Sequence, residues 1–272
     1  MHRINVLITP RCVLVKPIAI CRHEATQGPG YLQSFLDKHG VPYRVFAIDA
    51  GDTPPRCAAE FSGVVILGSN AGVNDGLAWI KREEALLKDA LRLERPILGH
   101  CFGGQLLSKS LGGEVRRNSV PQIGWGKVLV TKFDEARQWL GDKRELDLFH
   151  WHFDTFEVPR GAKRMLFGYY CMNKGFALGP HLGLQSHLEV TAQSIRQWCA
   201  EDRQVLQQWQ AQSSVQSEAQ ILHRLDEKVA VLHQVADHVY RQWLGGVSGA
   251  LHAHLVRTQR PNGGAGWLEA LK

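Results

Sequence analysis

The chain has 272 residues, a formal net charge of +6, 44% hydrophobic residues and 21% charged residues. That composition suits an ordinary folded protein with chain enough for one large domain or two small ones. No apolar run approaches the ~20 residues of a membrane helix, and no dense basic block accompanies an aromatic platform, so neither a membrane span nor a nucleic-acid surface is expected.

Residues 1–14 hold Arg3, Arg11 and a short apolar piece that Pro10 interrupts, which is not the pattern of a secretory signal. The six cysteines, Cys12, Cys21, Cys57, Cys101, Cys171 and Cys199, form no C-x-x-C pair, so no zinc site or dithiol motif is expected. Their scatter suits a reducing, cytoplasmic setting. Residues 16–21 read as a first buried strand. Residues 31–38 read as a helix with Leu32, Phe35 and Leu36 on one face, ending at His39-Gly40. Residues 43–48 and 63–67 are the next strands, the latter apolar throughout, as in strands buried on both faces. Residues 77–93 carry Trp79, Ile80, Leu86, Leu87 and Leu91 at helical spacing. A strand over 97–100 follows. This strand–helix alternation predicts a mostly parallel sheet with helices on both faces.

Gly-His-Cys-Phe-Gly-Gly-Gln, residues 99–105, comes directly after that strand, and Leu106, Leu107 and Leu111 recur at helical spacing behind it. Strand, sharp turn and helix place Cys101 at a helix N-terminus, where the dipole and free N–H groups favour a thiolate. This is the thiol version of a nucleophile elbow. The middle of the chain reads as short, partly antiparallel strands around 127–131, 146–151, 165–170 and 182–185, forming an edge or a small second layer. Helices return over 194–202 and 219–243, the second with an apolar stripe expected to be core. Residues 207–220 are polar and Gln/Ser-rich, and residues after Gly245 are Gly-rich. No internal repeat or clear linker divides the chain.

A nucleophilic cysteine needs a base. In Gly-Leu-Gln-Ser-His-Leu-Glu, residues 183–189, His187 stands at the end of a strand with Glu189 at i+2, on the same side of an extended backbone. The carboxylate can then hold one ring nitrogen and leave the other to the thiol. His152 with Asp154, His23 and Lys174 are weaker candidates; a structural or solvated role fits each of them as well.

With these residues together, the chain resembles the class I glutamine amidotransferase family, the type with a Cys-His-Glu triad. Gly99, Cys101, Gly103 and Gln105 match that family's Gly-x-Cys-x-Gly-x-Gln. Residues 183–189 match its Gly-x-Gln-Phe-His-Pro-Glu, with Ser186 in place of Phe and Leu188 in place of Pro. Gly28-Pro29-Gly30, Ile123-Gly124-Trp125-Gly126 and the stretch 150–156 resemble members similar to the amidotransferase domain of guanosine monophosphate synthetase. The resemblance implies a flavodoxin-like α/β fold, with an N-terminal extension over 1–15, the amidotransferase-like domain over 16–203, a helical segment over 204–246 packing on it, and a loosely ordered tail over 247–272.

It also implies site residues. Cys101, His187 and Glu189 would be catalytic. The backbone N–H groups of Phe102 and Ser69 would form the oxyanion hole; Ser69 stands where the family favours glycine. Gln105 would contact substrate, and Asn173, Gly175 and Phe176 resemble a stretch that holds the amino-acid end of glutamine. No cofactor or metal is implied. The expected activity is thiol hydrolysis of glutamine or a γ-glutamyl amide through a γ-glutamyl thioester. The alternatives are a glutaminase subunit feeding ammonia to a separate synthetase partner, since no Gly-rich ATP loop is present, and a catalytically weak binding or regulatory homologue.

Overall fold

The computed structural model describes residues 16–258. The expected extension over 1–15 and the last residues of the expected tail, 259–272, lie outside the described residues. The first half of the chain gives β1 (Ile18–Arg22), α1 (Gly30–Lys38), β2 (Tyr43–Ala47), β3 (Gly63–Ile66), α2 (Ala78–Arg92), β4 (Ile97–His100) and α3 (Phe102–Ser110). The second half gives β5 (Val115–Val130), α4 (Asp134–Leu140), β6 (Glu145–Phe156), β7 (Lys163–Phe167), β8 (Gly175–Leu178) and β9 (His181–Leu184). Four helices close the described chain: α5 (Ala192–Glu201), α6 (Arg203–Trp209), α7 (Glu218–Leu222) and α8 (Leu225–Thr258).

All nine strands join one sheet in the order β2-β1-β3-β4-β9-β8-β7-β5-β6. The run β2-β1-β3-β4-β9 is parallel and has the flavodoxin-like order. From β9 outward every pairing is antiparallel. The antiparallel strands therefore extend the same sheet and do not form a second layer.

The central strands alternate side chains between two cores, as a pleat with period two requires. Ile18, Ile20, Val65 and Leu67 face the layer that holds α1 and α8. Ala19, Cys21, Val64 and Ile66 face the layer that holds α2 and α3. Fully burying each large apolar side chain contributes roughly 1.5–3 kcal/mol. The stripe on α7 and α8, including Ile221, Leu225, Leu232, Val239, Tyr240 and Trp243, is buried as expected.

Three expectations need correction. The strand expected over 127–131 begins at Val115 and pairs with β6 along most of its length, with an irregularity between Arg117 and Gln122. Its first half is polar because that edge is exposed, so hydrophobic pattern does not mark it. The helix expected over 219–243 breaks at His223-Arg224, where Arg224 has φ 52. Finally, residues 247–258, expected as loosely ordered tail, continue α8. α8 runs through Gly245-Gly246, and at Gly246 a Cβ would lie 3.2 Å from Pro180, so glycine there lets the helix approach that loop closely. Close packing offsets the ~1 kcal/mol that a glycine costs inside a helix.

No helix among the described residues is long and apolar enough to cross a membrane.

Candidate active site

The elbow forms because three glycines let backbones touch. A Cβ at Gly103 would lie 2.0 Å from Ile66 O on β3, at Gly99 2.4 Å from Gly103 C, and at Gly104 2.4 Å from Leu184 O on β9. Any side chain there would lift α3 off the sheet. Gly103→Ala is expected to destabilise the protein by about 3 kcal/mol or more, at or beyond the upper end of ordinary overpacking, read as a lower urea midpoint at unchanged slope.

Cys101 occupies the turn as the N-cap of α3 with φ 49 and ψ −106. A non-glycine residue at positive φ is strained, and such strain clusters at functional sites. The turn is pinned by the bond from Cys101 N–H to Leu184 O, 2.8 Å. Cys101 is 6% exposed. Its Sγ lies 3.6 Å from Trp151 O, which can accept the thiol proton, and 3.7 Å from Gln185 Nε2, which donates to the sulfur.

His187 follows β9 and is fixed by its own N–H, which donates to Phe149 O at 2.9 Å. Its Nδ1 lies 2.7 Å from Glu189 Oε1, and both side chains are buried. Leu188 in place of proline therefore does not prevent the carboxylate from reaching the ring. Nε2 takes no hydrogen bond of ordinary geometry among the described residues, yet the ring and the Cys101 thiol interact electrostatically. Burial alone would depress His187; the Glu189 carboxylate and then Cys101 outweigh it and raise its pKa to about 10. Burial likewise pushes the Glu189 carboxyl up, but His100 and His187 reverse this and leave it lowered. Glu189 is itself held: its carbonyl accepts from Tyr31 N–H at 2.7 Å, and a Cβ at Gly30 would lie 2.2 Å from that oxygen. Gly30 thus brings the start of α1 against the backbone of Glu189.

A cavity of about 410 Å³ opens on Cys101, lined by Ser69, Phe102, Gln105, Arg117, His152 and Asp154 among others. Ser69 and Phe102, the two expected oxyanion donors, thus share one wall region with the sulfur. Gln105 is in the wall and donates to Asp154 O and Gln185 Oε1, both at 3.3 Å. The other three expected substrate residues do not line the cavity. The Gly175 and Phe176 backbones pair within the sheet, Phe176 is fully buried against Phe156 at 5.3 Å, and Asn173 Nδ2 donates to Phe156 O at 2.8 Å. Part of the cavity wall comes from β6. The long antiparallel ribbon, which sequence periodicity underestimates, carries Trp151 to Asp154 over the cysteine.

A model of the class-I glutamine amidotransferase family matches residues 32–205. The chain belongs to this family. A glutamine amidotransferase from Methylobacillus flagellatus, known from its crystal structure, is 37% identical, with a TM-score of 0.83 over 85% of this chain and 95% of that one. A subunit of the glutamine-hydrolysing GMP synthase of Archaeoglobus fulgidus is 30% identical over 141 residues, 51% of this chain and 72% of that protein. Gamma-glutamyl peptidase 4 of Arabidopsis thaliana is 28% identical over 142 residues, 49% of this chain and 56% of that protein. The chain spans about half or less of the length of several curated relatives that it matches.

Near the cysteine the chain carries a buried polar cluster that the sequence did not announce. Lys174, read from sequence as a solvated lysine, is 1% exposed. Its Nζ donates to Gln122 Oε1 and to His152 Nε2, the latter at 3.0 Å, while His152 Nδ1 donates to Asp154 O at 2.9 Å. Burial lowers Lys174 to about 8; burial and then the Lys174 charge hold His152 well below its ordinary value. His152 thus presents a neutral ring to the cavity.

Proposed function

We propose that the protein is a thiol hydrolase that cleaves the γ-glutamyl C–N bond of glutamine or of a γ-glutamyl amide, and that Cys101, His187 and Glu189 are its triad. The observation that carries this reading is a strained, cavity-facing Cys101 at a helix N-terminus beside a buried His187 whose far nitrogen is 2.7 Å from Glu189.

In this reading His187 takes the thiol proton, and Cys101 Sγ attacks the γ-carbonyl carbon. The tetrahedral oxyanion is held by the N–H groups of Phe102 and Ser69; losing one such donor typically costs about 2.7–4 kcal/mol of barrier. His187 then gives its proton to the departing nitrogen as the C–N bond breaks. Water, deprotonated by the same ring, attacks the thioester, the C–S bond breaks, and glutamate leaves. Glu189 keeps Nδ1–H engaged throughout, so Nε2 is the nitrogen that exchanges protons.

The cavity supports a substrate with a leaving group beyond ammonia. About 410 Å³ falls within the roughly 300–1,000 Å³ of sites that bury drug-sized ligands. Arg117, paired with Asp154 at 3.4 Å and 65% exposed, and Asp75 and Asp202 supply both signs of charge at its rim. The likeness to a gamma-glutamyl peptidase supports the same class. A second reading, ammonia delivery to a separate synthetase, is supported by the likeness to a GMP synthase subunit.

Glutamate release from L-glutamine and from a panel of γ-glutamyl amines and peptides separates the two. Turnover of the bulkier amides at least as fast as glutamine is expected. Turnover of glutamine alone, rising only when a synthetase is added, would favour the second reading.

A further inference from the structure

His23 is a buried residue beside the site that the proposed reaction does not use. It follows β1 and is 5% exposed. Its Nδ1 lies 2.8 Å from Gly68 O, and its Nε2 lies 2.9 Å from Glu83 Oε1 on α2. Trp79 stacks on the ring at 4.8 Å, and Phe102 lies tilted against it at 5.1 Å. A carbonyl oxygen only accepts, so Nδ1 carries the proton and donates to Gly68. This holds in either charge state. With Glu83 ionised, Nε2–H donates to it; with Glu83 protonated, the carboxyl donates to Nε2. Both leave Nδ1–H on Gly68.

Gly68 C=O and Ser69 N–H belong to one peptide unit. No peptide among the described residues is cis, and in a planar trans unit the two groups point in opposite directions. Holding Gly68 O on His23 therefore turns Ser69 N–H away from His23. Ser69 shares the wall of the cavity with Cys101 and Phe102. Position 68 has no room for a side chain, because a Cβ there would lie 2.9 Å from His187 Cε1. Glycine admits the catalytic ring, but it also leaves this peptide free to adopt φ of either sign. The restraint has to come from outside, and His23 supplies it. Glu83 is fully buried, and the buried Cys21 thiol is a second polar neighbour of its carboxylate; a buried ion pair of this kind is weak evidence for a role in stability.

We propose that His23, held by Glu83, is a positioning residue that locks the Gly68–Ser69 peptide with the Ser69 N–H turned toward the oxyanion, which rests on the reading of Cys101 as the nucleophile.

Three variants test it. His23→Asn places an amide N–H near the Nδ1 position. His23→Gln is one methylene longer and carries its amide toward Glu83. The double variant His23→Leu/Glu83→Leu removes both buried polar groups, so no lone buried charge threatens the fold. The readouts are kcat and KM for L-glutamine and γ-glutamyl-p-nitroanilide, with the rate of alkylation by iodoacetamide at Cys101. In alkylation a C–S bond forms as iodide leaves, and no carbonyl oxyanion develops.

His23→Asn is expected to stay within about tenfold of wild-type kcat. His23→Gln and the double variant are expected to lose about 30-fold or more, up to the roughly 100–1,000-fold of a missing oxyanion donor. KM and alkylation rate should change little. Wild-type kcat in His23→Gln and the double variant, with Cys101→Ala inactive, overturns the lock and leaves the triad reading standing. Alkylation falling in parallel with kcat also overturns it, because the histidine would then be acting on the fold as a whole. Equal glutamate release by wild type and Cys101→Ala overturns the triad reading and the lock with it.

Discussion

Replacing Cys101 with alanine is expected to lower kcat for γ-glutamyl hydrolysis by about 10⁴-fold or more while leaving the fold intact. In the proposed mechanism the nucleophile and base act as a unit, so removing either forfeits nearly the whole covalent route. The fold should survive because the turn is held by its backbone, from Cys101 N–H to Leu184 O and from Gln105 N–H to Cys101 O. The stability of the site variants sharpens the test. A non-glycine residue at φ 49 carries strain of about 1–3 kcal/mol. Alanine keeps the Cβ and the strain. Glycine releases the strain and gives back about 0.5–1 kcal/mol in chain entropy. Cys101→Gly should therefore be inactive and about 1 kcal/mol more stable than Cys101→Ala in urea unfolding. Retention of more than a few per cent of wild-type turnover by either variant would contradict the assignment.

Replacing Glu189 with glutamine is expected to cost about 10²–10⁴ in kcat, as when a triad carboxylate is lost and the base is left in the wrong tautomer. It should also move the alkaline limb of kcat/KM. Burial depresses His187, and the Glu189 charge is the largest influence opposing it, giving a pKa of about 10. With that charge removed, burial pulls the pKa down, and the alkaline limb should fall by more than one pH unit. Stability follows the same linkage. The folded pKa lies above the ordinary value of 6.5, so this pairing contributes stability that is fully present below about pH 6.5 and is lost as pH rises toward about 10. The slope of unfolding free energy across that window should flatten in Glu189→Gln. An unchanged alkaline limb together with an unchanged slope would show that Glu189 does not govern the ring.

Much of this was legible along the chain. Ile97 to Leu107 announces strand, turn and helix through apolar runs broken by glycines, and local sterics dictate the rest. His187 and Glu189 were legible because two residues at i and i+2 share a side in extended chain. Lys174 was not, because nothing in its neighbours along the chain reveals that β5 and β6 bury it beside Gln122 and His152. Asn173, Gly175 and Phe176 mark the limit of carrying roles across by resemblance: their local pattern matches, but β8 lies between β7 and β9, its backbone engaged in the sheet. His23 stood out along the chain only as a weak candidate, with nothing to name its partners. Its partners are 45 and 60 residues away, and only the parallel pairing of β1 with β3 brings the two loops together.

The sequence by itself determined the alternation of elements, the elbow that carries Cys101, and the pairing of His187 with Glu189, because each depends on contacts within a few residues. The tertiary structure decided what those groups face. It joined the antiparallel strands to the parallel sheet, drew β6 over the sulfur to form the cavity wall, and buried Lys174 and Glu83. It also set His23 on the carbonyl of Gly68. Burial, charge perturbation and the orientation of a peptide unit are properties of packing between distant segments, and no window along the chain contains them.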